Sequence, residues 1–535
     1  MSPSTLRRWV CTSLAAFVPY QVPAQATYDL LIRGGTIVDG TGRPRYRGDL
    51  AIRGDRIVRI SRLGLRASDA VRVIEASGKV VAPGFIDLHA HLEPLLTLPT
   101  AESHVRQGVT LALGGPDGGG PLPLGPYLDT VTATGAGMNV AYLIGHNSIR
   151  RAVLGMAARA PTVVELGRMQ RLVADGMRDG AFGLSTGLRY TPGFYSKTDE
   201  VIALAKVAAE SGGFYTSHLR EEGRGLIEGV AEAIEIGRRA RIPVVLTHHK
   251  AVGQATWGAS TRTLAMVDEA RRRGVDVQID QYPYTASSTG LSVLIPPWAL
   301  ADGDTAFARR VNDPVIRDSV ERGIVDLLVN DRGGGDLKRV QFAAVKWMPE
   351  LEGKTLHDFA VLRGIDPVPA RAAGLVIEAQ LKGGASAIFH VIDEEDVRRI
   401  MKHPQTMIAS DGRLSQPGDG SPHPRAYGTF PRVLGRYTRE LHLLTLEQAV
   451  NKMTGMPARR LGLTNRGTLS PGNFADVVVF DPNTVADRST FEKPHQYPVG
   501  IEHVLVNGDF MVDGGEFTAK RPGRVLRRQR LDKRD

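Results

Sequence analysis

Between residues 83 and 411 the chain repeats one pattern: a short run rich in branched and aromatic residues, then a stretch of helical spacing that closes on glycine or on a basic turn. The runs are "GFIDLHAH", "VTLALGG", "NVAYLIGH", "GAFGLST", "GFYTSHL", "PVVLTHH", "VDVQIDQY", "SAIFHV" and "TMIASDG", with helical stretches such as "VIALAKVAAESG" and "AEAIEIGRRA" between them. Strand-helix alternation permits few architectures, because each helix returns the chain to the sheet in parallel orientation. Eight such units close into a barrel, and nine are one too many. The connection after Tyr284 is about a hundred residues long, where roughly two to six is usual, which places "SAIFHV" inside or beside an insertion. The expected fold is therefore α/β, a (β/α)8 TIM barrel over 83–461, with an insertion at 299–385 before its last strand.

Both flanks of this region read differently. From Tyr28 to Ala82, "YDLLIRGGTIVDGTG" and "GDLAIRGDRIVRI" alternate apolar and polar residues between glycine turns, the period of short antiparallel strands. The same texture returns in "ADVVVFDP" and "IEHVLVNGDFMVDGGEF". The expectation is one small β-sandwich assembled from 27–82 and 462–535.

Residues 1–26 stand apart. Arg7 and Arg8 precede an apolar run from Trp9 to Val18, and "AQA" follows at 24–26. This is the pattern of a secretory signal peptide, with a core too short to span a bilayer, so a periplasmic or secreted protein is expected without stable membrane insertion. The only cysteine, Cys11, lies inside that segment, which leaves the mature chain without a disulfide or a thiolate ligand. The formal charge is +10, but residues 516–535 hold eight Lys/Arg against three Asp/Glu, or +5 of it. Half of the excess is thus one tail, read as a solvated basic end, and no aromatic-interleaved basic motif supports a nucleic-acid partner.

Chemistry concentrates at the strand ends. His89 and His91, spaced i, i+2, share one face of the first strand. His218 ends "FYTSHL", His248 ends "VVLTHHK" and Asp411 ends "MIASDG", and in a closed barrel these ends form the rim that carries active sites. Asp117, within "LALGGPDGGG", has two readings: a turn residue, or a carboxylate that joins the same mouth. Converging imidazoles and carboxylates are costly unless a cation neutralises them, and this nitrogen and oxygen donor set suits Zn²⁺, with one or two ions and other divalent metals also compatible. His146 at the end of "LIGH" is either a supporting residue or structural. Ser185 in "GLSTG" does not fit a nucleophile elbow and is read as shaping the backbone.

"PGFIDLHAH", "GLSTGLRYTPG", "SHLREEG", "THHKAVG", "DQYPYTASST", "ASDG", "HPRAYGTFPRVLGRY" and "GNFADVVVFDP" resemble, in order and over almost the whole mature chain, the N-acyl-D-amino-acid deacylase (D-aminoacylase) branch of the amidohydrolase superfamily. The resemblance implies a metal-bearing barrel with a small sandwich. It also implies His89 and His91 at one metal position, His218 and His248 at another, and Asp411 as ligand and proton carrier. That branch typically reads G-N-C-G after the second strand, with the cysteine as ligand, whereas this chain reads "GPDG". Asp117 stands where the thiolate would be, so a hard oxygen replaces a soft sulfur.

The implied reaction is hydrolysis of N-acyl-D-amino acids by metal-activated water, with Asp411 taking a proton and returning it to the leaving nitrogen. The resemblance assigns Lys250, Tyr282 and Arg425 to the free carboxylate of such a small-molecule substrate. Against those roles stand a structural ion pair for Lys250 and a packed strand-end aromatic for Tyr282. Residues 299–385, with Trp298 and Trp347, are expected to cover the mouth and shape the acyl pocket. The same site would serve a related hydrolase acting on a D-residue-containing dipeptide, a cyclic amide or a lactone. A catalytically silent binding protein is a third reading, disfavoured by the complete ligand set.

Overall fold

The computed structural model describes residues 26–528; the signal-peptide reading falls almost entirely outside them. Eight parallel strand positions form a closed ring. Phe85–Asp87, Val109–Gly114 and Asn139–Tyr142 pair side by side. The third position resumes at Ile144–Gly145 and pairs with Gly183–Gly187, followed by Phe214–His218, Val244–Leu246, Val277–Gln281 and Thr406–Ile408. Closure comes from Gly412–Arg413, the continuation of the last strand, lying parallel to Ala90–His91, the continuation of the first.

Alternation along these strands builds two cores. Ile86, Leu88, Leu111, Leu113, Ala141, Phe182, Phe214, Val245 and Met407 fill the inside of the ring. Their outward neighbours, among them Phe85, Val109, Val140, Leu184 and Ile279, pack beneath the outer helices. Burial on both faces is why these runs read as almost continuously apolar. The helices carry their own start signals, as at Thr162, whose hydroxyl accepts from Glu165 N–H while the Glu165 side chain accepts from Thr162 N–H, capping Val163–Arg178.

The two chain ends meet in one sheet, because Val80–Pro83 pairs antiparallel with Val477–Phe480. The hydrogen bonding is continuous across nine strands rather than divided between two sheets. Leu30, Ile32, Leu50 and Ile52 from one half share a core with Val477, Val479 and Leu505 from the other.

The excursion between the seventh and eighth strands is wider than 299–385. Its antiparallel sheet pairs Ser287–Gly290 and Val340–Ala344 with Ser386–Phe389, so both flanking segments belong to it. Phe307, Ile324, Leu328, Phe342, Phe359 and Ile377 give it a core of its own. The described part of the basic tail, through Arg528, is docked on the fold while Arg524 and Arg527 keep partly exposed side chains. Residues 523–528 bind the barrel through backbone bonds from Gly523 N to Ala136 O, Leu526 N to Val140 O and Arg528 N to Gly180 O. Arg524 pairs with Asp55 and Arg527 with Asp129, while Leu526 packs onto the core inside the ring. Tertiary partners at the end of the barrel opposite the histidines, invisible in a composition, account for this docking.

Candidate metal centre

His89, His91, Asp117, His218, His248 and Asp411 converge at the carboxyl ends of the barrel strands. Their donor atoms form two groups, His89/His91/Asp117/Asp411 and Asp117/His218/His248, with Asp117 common to both. Nε2 of His89 and of His91 lie 3.3 and 3.2 Å from Oδ1 of Asp411. Oδ2 of Asp117 is 3.6 Å from His89 Nε2, 3.7 Å from His91 Nε2 and 3.8 Å from His218 Nδ1, while its Oδ1 is 3.3 Å from His248 Nε2.

The backbone is bent to achieve this. Asp117, His248 and Asp411 all adopt the left-handed region, at φ of 53°, 36° and 50°, each at a cost of order 1–3 kcal/mol. Aspartate tolerates that region better than most side chains, which accounts for two of the three. Ser185 clamps the Asp117 loop by donating to Gly115 O at 2.6 Å and accepting from Gly118 N–H at 3.1 Å. Gly187 lets the fourth strand approach: a Cβ there would collide with the carbonyl oxygen of Asp117.

Buried carboxylates set the rest of the frame. Asp87 accepts from the N–H groups of His89 and Ser410 at 3.1 and 2.9 Å, tying the first strand to the last. Asp280 accepts from His248 N–H at 2.6 Å and from the Thr247 hydroxyl at 2.7 Å. Thr247 Oγ1 in turn lies 2.6 Å from His89 Nδ1, which leaves Nε2 of that ring facing the cluster. His91 Nδ1 lies 3.3 Å from Glu93, with the same effect. Burial opposes charge throughout, raising Asp87 to about 6. At Asp117 it is outweighed by His89 and His248, and at Asp411 by Arg425, His89 and His248, so both carboxyls sit well below the usual range.

A divalent cation fits these residues. Among the described residues, His89 Nε2 and Asp117 Oδ1 are buried without a hydrogen-bond partner and face the cluster, and the donors are the nitrogen and oxygen atoms that zinc accepts.

His91, Asp117, His218, His248 and Asp411 line a cavity of about 630 Å³ whose wall also contains Lys250, Tyr282 and Arg425. Arg425 NH1 contacts Asp411 Oδ2 at 2.7 Å, and its guanidinium lies 4.8 Å from the centre of the Tyr282 ring. The Tyr282 hydroxyl is buried without a hydrogen-bond partner among the described residues. Lys250 is paired with Glu222. The excursion supplies Ser287, Thr289, Arg332 and Lys346 to the wall, whereas Trp298 and Trp347 do not line it. Trp298 is half exposed, and Trp347 packs on Phe359 while its indole N–H donates to Gly384 O. His146 stands outside the cluster, held at 2.9 Å by Glu200, which also binds the buried Arg150.

The sequence reading missed Glu93, Glu222, Thr247, Asp280 and Arg332. Glu222, Thr247 and Asp280 lie within the quoted segments "SHLREEG", "THHKAVG" and "DQYPYTASST" and were open to discovery by proximity. Arg332, inside the excursion, carries no local signal.

The profile of the Amidohydrolase family matches residues 72–512. The chain belongs to that family. This amidohydrolase is 40% identical to the N-acyl-D-glutamate deacylase of Alcaligenes xylosoxydans xylosoxydans, covering 94% of this chain and 97% of the relative. It is 39% identical to the D-aminoacylase of the same organism over 94% and 98%. Among solved structures, the N-acyl-D-glutamate deacylase of Bordetella bronchiseptica, complexed with zinc and a phosphonate mimic of the reaction's tetrahedral intermediate, is 38% identical at a TM-score of 0.78, covering 94% of this amidohydrolase and 100% of that chain.

Proposed function

We propose that this amidohydrolase is a zinc-dependent deacylase that hydrolyses the amide bond of N-acyl-D-amino acids to a carboxylate and a D-amino acid. One observation carries the reading: a carboxylate competent in proton transfer, Asp411, touches both the histidine cluster and an arginine suited to a substrate carboxylate, within one cavity. The relatives act on N-acyl-D-amino acids or are named for doing so, which supports the D configuration.

His89, His91, Asp117, His218, His248 and Asp411 would hold one or two zinc ions. When bound, zinc supplies Lewis acidity to the scissile carbonyl and eases deprotonation of water. Asp411 takes the proton of the attacking water and passes it to the amine nitrogen as the C–N bond breaks, so the amine leaves neutral. Arg425, Lys250 and Tyr282 receive the free carboxylate of the amino acid; a guanidinium offers it two parallel donors, and the phenol one more. Lys250 and Tyr282 follow the sixth and seventh strands and Arg425 opens the helix Arg425–Arg432 after the eighth, a grouping that sets the amine side of the substrate there and directs the acyl group toward the Asp117 loop. The N-terminal segment supports export to the periplasm or medium, which cell fractionation tests.

The deciding experiment is hydrolysis of paired N-acetyl-D- and N-acetyl-L-amino acids by zinc-loaded and chelator-stripped protein. Zinc-dependent release of the D-amino acid alone is the expected result. Equal rates on both enantiomers, or full rates without metal, would sink the reading.

A further inference from the structure

Glu222 is 2% exposed and lies between four groups. Its Oε1 contacts Lys250 Nζ and lies 3.3 Å from His248 Nδ1, which Lys250 Nζ itself approaches at 2.8 Å, so the carboxylate reaches that ring both directly and through the lysine. Its Oε2 lies 3.5 Å from His218 Nε2 and 3.5 Å from Arg332 NH2. In both rings the nitrogen nearest Glu222 is the one turned away from Asp117: His218 offers Nδ1 to Asp117, and His248 offers Nε2. One carboxylate therefore stands behind both histidines of the Asp117/His218/His248 group. It also holds the lysine that reaches for substrate and the arginine that roots the excursion in the barrel. The neighbouring Asp331, paired with Arg189 at 3.3 Å, gives that excursion loop a second ionic foot.

Resting on the metal-dependent reading above, we propose that Glu222 is the positioning residue for the Asp117/His218/His248 metal position, fixing the orientation of both rings with one carboxylate and coupling that position to Lys250 and, through Arg332, to the excursion. A histidine bound to metal through one nitrogen presents N–H at the other, and an anion behind it fixes the ring and raises its basicity. One carboxylate within 3.3 Å of His248 and 3.5 Å of His218 makes the effect on this position larger than on the other, where Thr247 and Glu93 serve His89 and His91 separately. Among the described residues neither Oε2 of Glu222 nor Nε2 of His218 has a hydrogen-bond partner, which leaves each open to the other once that ring binds metal.

The test is competitive zinc titration against a chromophoric chelator, using full-length protein and Glu222→Gln. Removing such an outer carboxylate typically costs 10- to 100-fold in metal affinity. That loss is expected at one position, with the other within about threefold of the parent. Adding His91→Asn, which disables the other position, identifies which one weakened: the double variant should lose both. Because Gln leaves Lys250 facing no anion, Glu222→Gln/Lys250→Met serves as a charge-balanced control and should show the same selective loss. Zinc affinity unchanged at both positions, or an equal fall at both in the charge-balanced variant, would overturn the proposal. If the parent protein itself binds no zinc, it is the functional reading that fails, and the two failures are told apart in one experiment.

Discussion

Asn in place of Asp117 separates the two roles open to that residue. Asparagine tolerates the left-handed backbone as aspartate does, so at φ 53° the loop and its glycines should persist. What disappears is one negative charge within 3.3–3.8 Å of four imidazole nitrogens, and the only donor common to both metal groups. A unit charge pair at about 4 Å is worth about 4 kcal/mol at an effective dielectric of about 20. Allowing for the amide oxygen that remains, a loss of about 3 kcal/mol is a conservative figure, and at 1.4 kcal/mol per tenfold it weakens zinc about 100-fold. With free zinc at 100 times the parent dissociation constant, the stabilisation by metal would fall from about 2.7 kcal/mol to about 0.4 kcal/mol. The assay is chemical denaturation with and without zinc, alongside metal content after dialysis. Unchanged metal content with a full zinc-induced shift would refute the ligand role and leave Asp117 a turn residue.

Other substitutions probe neighbouring steps. Asp411→Asn should lower kcat by about 10²- to 10⁴-fold, the usual yield of a positioned proton carrier, while metal remains at the Asp117/His218/His248 position; steady-state kinetics with metal analysis checks both. Arg425→Lys keeps the charge but loses the planar fork, so kcat/KM for a carboxylate-bearing substrate should fall about 10- to 150-fold, corresponding to about 1.5–3 kcal/mol, with a far smaller change for an N-acyl amine lacking the carboxylate. Ending the chain at Lys520 removes four backbone hydrogen bonds, made by Gly523, Arg524, Leu526 and Arg528, and the Leu526 contact. The expected loss is about 2–5 kcal/mol in urea unfolding, with little effect on KM for the folded enzyme.

The barrel and the six clustered side chains were legible because both rest on periodicity. A residue at the carboxyl end of a parallel strand has its place fixed by the ring, however far away its partners lie in sequence. Asp117 was legible as a candidate because a carboxylate among five glycines occupies the second such end. The excursion's limits were not legible: "SSTG" at 287–290 has the composition of a loop, and only pairing with Ser386–Phe389 makes it a strand. Arg332 reaches Glu222 across a hundred residues of sequence for the same reason, since nothing local marks it. The docking of the tail was not legible, because charge says where a segment tolerates water, whereas Arg524 and Arg527 meet acids brought to them by the fold.

Three strained residues in one site raise the question of what holds them, and the buried carboxylates answer it in part. Asp87 accepts main-chain N–H groups from the first and last strands, including that of His89, two residues away, and of Ser410, next to Asp411. Asp280 does the same for His248, the residue of the three least suited to positive φ. Each therefore anchors backbone beside a clustered residue, and Asp280 also holds the Thr247 hydroxyl that orients the His89 ring. Asp280→Asn makes the argument testable. The amide retains one acceptor oxygen, so it can accept from His248 N–H or from the Thr247 hydroxyl, on whichever side the oxygen faces, but not from both. If the main-chain anchor is what matters, the retained oxygen should stay on His248, and zinc affinity at that position should fall less than about threefold. His89, whose ring is oriented through Thr247, should then lose more. A larger loss at the His248 position than at the His89 position would show that the hydroxyl chain, not the anchor, is the stronger restraint.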